Sequence, residues 1–234
     1  MTQNIPDELL TIAEKPSRYI GTEVNSICKN NADVRFLLAF PDTYEVGMSH
    51  LGLQILYAVL NALPGVAAER CFAPWPDRER QLRDHHLPLT SLESARPMVA
   101  FDIIGFSLQY ELSYTNMLNM MDMGGIPLRS DDRLESHPLI IAGGPCTFNP
   151  VPLNSFIDAF VIGEGEEVVA EITAAVSAAK KQALTRKTII EKLAEISGIY
   201  VPRVHGKKTV IKKRKAVDLN AWPHPVAPVV PLMQ

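Results

Sequence analysis

The chain has 234 residues, 47% of them apolar, and a mean hydropathy of +0.04, so it can bury a full core and reads as a soluble globular protein of one domain plus appendages. Its longest apolar runs, such as Phe36 to Phe40, fall far short of the roughly 18 residues of a membrane span. The start MTQNIPDELL lacks a secretory pattern, so a cytoplasmic location is expected. The formal net charge of −3 is unevenly divided: residues 1–179 carry 11 Lys+Arg against 23 Asp+Glu, whereas residues 180–215 carry 12 against 2.

Residues 1–30 contain one expected short helix around Asp7 to Ala13, then KPSRYIGTEVN, which has turn residues but no period and reads as a strap over the core. The body, residues 31–198, holds five short apolar runs that predict strands: Val34 to Phe40, Val66 to Phe72, Ile103 to Ser107, Leu139 to Ala142 and Ala159 to Ile162. Between them lie segments of helical spacing, including Leu51 to Leu60 and Leu118 with Met121. Runs apolar on both faces, alternating with helices, predict a doubly wound α/β fold with a five-stranded parallel sheet. Two helices, marked by Val168 to Val176 and Ile189 to Ile196, would close it. Residues 199–217 read as two extended runs turning at His205-Gly206, an appended β-hairpin. Residues 218–234, with four prolines in the last twelve positions, read as a linker.

The three cysteines, Cys28, Cys71 and Cys146, are scattered and odd in number, which predicts reduced, buried thiols rather than disulfides or a metal cluster. In an open parallel sheet, ligands bind beyond the carboxyl ends of the strands, where strand order reverses. Four such loops hold the candidate ligand-binding residues: Asp42, Tyr44 and Gly47; Ser107 and Gln109; Gly143, Gly144 and Pro145; and Gly163, Glu164, Gly165 and Glu166. The glycines let backbone approach a ligand without a Cβ in the way. Glu164, Glu166 and Glu167 disfavour a phosphate and suit a ribose or amide whose donors reach carboxylates; equally, they complement a helix dipole.

No GxGxxG or GxxxxGK[ST] fingerprint occurs, which weighs against nicotinamide and nucleoside triphosphates. His50 reads as a structural or helix-start residue, and His85 and His86 as solvated. Tyr110, Glu111, Ser113, Tyr114 and Asn116 either reach a ligand or cap a helix. The basic tail lacks the interleaved aromatics of an RNA platform and reads as a solvated face, so a nucleic-acid partner has no support.

In cobalamin-binding domains a DxHxxG sequence follows strand one, SxL strand three and GG strand four. Asp42-Thr43-Tyr44-Glu45-Val46-Gly47 resembles the first with tyrosine in place of histidine, Ser107 begins the second with Gln109 in place of leucine, and Gly143-Gly144 supply the third. The stretches FPDTYEVGMSHLGLQILY, FAPWPD, FDIIGFSLQYELSYTNMLNM, IAGGPCTFNPVPL and VIGEGEEV resemble more closely the front end of a family of cobalamin-type radical S-adenosylmethionine (SAM) proteins of unsettled substrate. The likeness covers nearly the whole chain.

The resemblance implies a flavodoxin-like sheet of the cobalamin-binding type, an N-terminal domain that contributes cofactor or substrate binding. Cobalamin would lie on Asp42, Gly47, Ser107, Gly143 and Gly144, with its nucleotide tail at Gly163 to Glu166. The partner it implies is a radical SAM barrel after the proline-rich linker, and the 4Fe-4S cluster and SAM would belong there. No CxxxCxxC occurs in this sequence, so the chain alone is not expected to be catalytically competent. A phenol at Tyr44 is a poor substitute for imidazole as a cobalt ligand. Either cobalamin binds without a protein ligand, or the domain is a degenerate scaffold that docks the barrel or another partner. A hydrolase built on Asp42 and Glu45 lacks a nucleophile or metal partner.

Overall fold

The computed structural model describes residues 10–206, 209–216, 218, 222 and 224–231. The five two-sided apolar runs form the parallel strands β1 (Val34–Phe40), β2 (Val66–Phe72), β3 (Ile103–Ser107), β4 (Leu139–Gly143) and β5 (Ala159–Val161). A short β6 (Ile199–Tyr200) adds antiparallel to β5, giving the order β2-β1-β3-β4-β5-β6. Alternation along β1 explains the two-sided pattern. Phe36, Leu38 and Phe40 enter one apolar cluster, and Leu37 and Ala39 enter the other.

The main α-helices among the described residues are, in chain order, α1 (Tyr44–Met48), α2 (Leu51–Ala62), α3 (Pro76–Asp84), α4 (Tyr114–Met123), α5 (Glu166–Lys181) and α6 (Arg186–Leu193). Residues of α2, α5 and α6 pack on the Phe36 face, and those of α3 and α4 on the Leu37 face. The helices following β1 and β3 therefore lie on opposite faces, which puts the switch of strand order between these two neighbours. Pro76 opens α3 at a position where its missing N–H costs nothing. Between β4 and β5, Pro145, Pro150 and Pro152 restrict the chain to two short 3-10 turns, Pro145–Phe148 and Val151–Leu153.

The α/β class holds, with six strands where the sequence predicts five. The second half of the expected hairpin does not pair with the first among the described residues. Ile199–Tyr200 takes the exposed edge of β5, and Arg214 bridges Gly163 in parallel, because β5 offers unpaired backbone groups to both. Residues 228–230 of the proline-rich segment fold back onto the body. Val229 is buried against the α2 side, Gln54 exchanges hydrogen bonds with its backbone, and Val230 bridges Val24 of the strap. Of the helix expected at Asp7 to Ala13, residues 7–9 lie outside the described residues, as do 207, 208 and 217 of the expected hairpin. Cys71 and Cys146 are buried as expected, but Cys28 is exposed, because it lies on the strap rather than in the core.

Candidate functional site

A cavity of about 210 Å³ opens at the carboxyl ends of β1, β3, β4 and β5, on the face covered by α2 and α5. Its floor is apolar, made by Phe36, Leu38, Ile141 and Val161 of the sheet, with Leu56 of α2 and Val169 and Ile172 of α5 as walls. Two glycines make the room. A Cβ on Gly105, inside β3, would stand 2.7 Å from the Phe36 ring, and one on Gly143 would meet nothing within 4 Å, projecting into open space. Two others serve the backbone. Gly144 (φ +99°) would press a Cβ to 2.6 Å from the Leu108 carbonyl oxygen, and Gly163 (φ +121°) to 2.2 Å from that of Arg214.

The rim is polar. Ser107 and Gln109 after β3, Gly143 and Gly144 after β4, and Gly163 to Glu166 after β5 all line the cavity. The glutamates at the start of α5 have separate fates. Glu164 accepts a hydrogen bond from the Ala216 backbone N–H, and Glu167 holds the Arg214 guanidinium at 2.9 Å. Glu166 Oε2 is buried and has no hydrogen-bond partner among the described residues. A buried carboxylate oxygen in that state calls for a donor from a ligand or solvent.

Four candidates lie elsewhere: Asp42, Tyr44, Gly47 and Pro145 do not line the cavity. Tyr44 is 5% exposed; its ring packs edge-on to Phe72 and its hydroxyl donates to Glu23 Oε1 at 3.1 Å. Gly47 lets the Phe72 ring approach to where a Cβ would be 2.1 Å away. Asp42 accepts from the Thr43 N–H at 2.7 Å and the Tyr110 hydroxyl at 2.8 Å, and Asn116 donates to the Pro41 carbonyl. The polar set after β3 thus ties two loops together at the rim.

The sequence reading missed His50 and Gly105 as parts of the cavity. His50 does cap α2 as expected, its Nδ1 accepting from the Leu53 N–H at 3.1 Å, and it also lines the cavity. This bond assigns the ring proton of the neutral imidazole to Nε2. Gly105 carried a usable signal, since a glycine inside a buried strand marks a close approach or an opening. On the segments that follow β1, β3 and β4, Val46, Leu51, Tyr110, Leu112, Phe148 and Val151 are exposed, with Leu112 82% exposed.

The family described as radical SAM proteins, N-terminal, matches residues 52–202, well over half of the chain. An uncharacterized protein of Methanocaldococcus jannaschii, MJ0966, is 25% identical over 138 residues, which are 58% of this chain and 25% of that protein. The chain thus spans about a quarter of that relative's length. No solved structure matches.

Proposed function

This chain belongs to the N-terminal domain family of radical SAM proteins, and we propose that within such a protein it holds one end of a cobalamin-class cofactor at the β-carboxyl cavity and presents it to the radical SAM domain. The observation that carries this reading is the cavity at the switch of strand order, opened by Gly105 and Gly143, with the orphaned Glu166 Oε2 beside it. A ribose hydroxyl or a side-chain amide of a corrinoid would supply the missing donor, and the apolar floor suits the flat base of a nucleotide tail. At about 210 Å³ the cavity is below the roughly 300–1,000 Å³ of a whole small-molecule pocket, so the rest of the ligand would lie across the rim.

When bound, cobalamin would supply a cobalt centre able to carry a methyl group. The residues of this chain would bind and orient it. Tyr44 commits its hydroxyl to Glu23, and His50 commits its Nδ1 lone pair to the α2 cap, leaving a protonated Nε2. The His50 ring thus has no free lone pair, and Tyr44 turns to Glu23 outside the cavity, so the cofactor would be held without a protein ligand to the metal. The exposed apolar residues on the segments after β1, β3 and β4 would then dock the radical SAM domain over it.

The test is retention of hydroxocobalamin after desalting. Wild type is expected to keep corrin absorbance, and Gly143→Val, whose side chain enters open space, to fold and lose it. A wild-type chain that keeps none supports the second reading, a scaffold, which the commitment of Tyr44 to Glu23 favours.

A further inference from the structure

A second cavity, sharing no lining residue with the first, lies between the strap and the β2–α3 connection. It is small, about 40 Å³, room for about three water-sized occupants and hence for the three heavy atoms of a carboxylate group. Two guanidinium groups line it. Arg18, on the strap, is 8% exposed, and Arg78, in the first turn of α3, is 2% exposed. Arg18 spends Nε on Glu45 at 2.7 Å and lies over the Trp75 ring at 4.0 Å, while its Nη1 is buried without a partner among the described residues. Arg78 gives Nη1 to the neutral Gln81 amide at 3.0 Å, and its Nη2 is buried and likewise unpartnered.

Arg18 has Glu45 as a counter-charge, whereas Arg78 has no ion pair of its own among the described residues. No Asp or Glu lines the cavity, and no carboxylate lies within ion-pair distance of Arg78 among the described residues. Burial pulls the Arg78 guanidinium below its ordinary value, and the charge of Asp77 only partly opposes this. Asp77 makes no ion pair with Arg78: its Oδ2 accepts the Glu14 N–H at 2.8 Å, and its Oδ1 is buried without a hydrogen-bond partner among the described residues. Two buried guanidinium groups that line one small void, each with an N–H donor unpartnered among the described residues, suit an oxyanion, since guanidinium recognises carboxylate with paired charge-assisted hydrogen bonds.

The geometry points to a binding site for a carboxylate-sized oxyanion between Arg18 and Arg78, either a free small anion or the carboxylate end of a larger molecule. Its occupant would tie the strap to β2 and α3, because one guanidinium comes from each side.

Trp75 is a built-in reporter, since Arg18 stacks on it. In the full chain carrying Trp222→Phe, formate is titrated at constant ionic strength set with sodium chloride, and Trp75 emission is followed. The expected result is a saturable change with formate, with affinity falling about tenfold or more in Arg78→Met, which loses a charge-assisted hydrogen bond. Should Arg78→Met fail to fold, Arg78→Lys, which keeps the charge and loses the fork, replaces it with the same expectation. Saturation by formate but not by benzoate assigns the site to free small anions, and saturation by both assigns it to the end of a larger carboxylate. A change that never saturates, or equal affinity in the Arg78 variant, means that the cavity holds only water and overturns the proposal. Hydroxocobalamin retention does not depend on this result.

Discussion

At the scale of single residues, the position that sets the cofactor question is Tyr44. Its hydroxyl fastens the strap through Glu23, whose other oxygen takes Arg70 Nη2 at 3.1 Å, both deep in the core. Tyr44→Phe should therefore cost about 1.5–3 kcal/mol, the range for a hydrogen bond to a charged group, and leave hydroxocobalamin retention unchanged. Urea denaturation and desalting measure the two effects separately. Glu45 gives a pH signature. Burial raises its carboxyl, but the hydrogen bond and charge of Arg18 outweigh this and hold it below the ordinary value. A depressed carboxyl contributes stability above its unfolded value, about pH 4.3, and loses it as pH falls through the folded value. Glu45→Gln should consequently show a shallower loss of urea midpoint than wild type between about pH 5 and pH 3.

At the scale of elements, the strands and the main helices were legible because two-sided apolar runs and helical spacing report burial directly. What was not legible depended on partners distant in sequence. The edge of β5 captured Ile199–Tyr200 and the Arg214 bridge, a choice that nothing within residues 199–217 encodes. Asp158, just before β5, is a further case, since its neighbours in sequence are apolar or aromatic. Its fully buried carboxylate takes Arg133 at 3.0 Å, Arg186 of α6, the Ser130 hydroxyl and the Ile140 N–H, joining α6 to the segment before β4. Burial pulls Arg133 down to about 10 even though Asp158 opposes the shift. Asp158→Asn would strand two buried cations and should cost about 3–5 kcal/mol, read as a lowered denaturation midpoint.

At the scale of the whole molecule, the charge asymmetry along the chain is partly offset within the fold. Lys180 reaches Asp102 at 2.6 Å, Lys181 reaches Asp33, Arg203 reaches Asp131, and Arg214 takes Glu167 and Glu171. Part of the basic stretch is thus a counter-charge to the acidic body, a pairing hidden from composition because it spans the fold. The same distinction governs the site. Loops after β3, β4 and β5 converge on one cavity, whereas Asp42, Tyr44 and Gly47, read from the loop after β1, turn to the rim and the strap. Short motifs mark a loop; only the packing of Phe72 and Glu23 decides which way its side chains face.

Backbone hydrogen exchange of the chain with and without hydroxocobalamin tests the central claim most directly, because it reports where the ligand sits. The account predicts slowed exchange confined to residues 50–56, 105–109, 143–147 and 163–169, which hold the cavity lining after β1, β3, β4 and β5, with residues 66–92 unchanged. Slowing elsewhere, or none at saturating hydroxocobalamin, would contradict it.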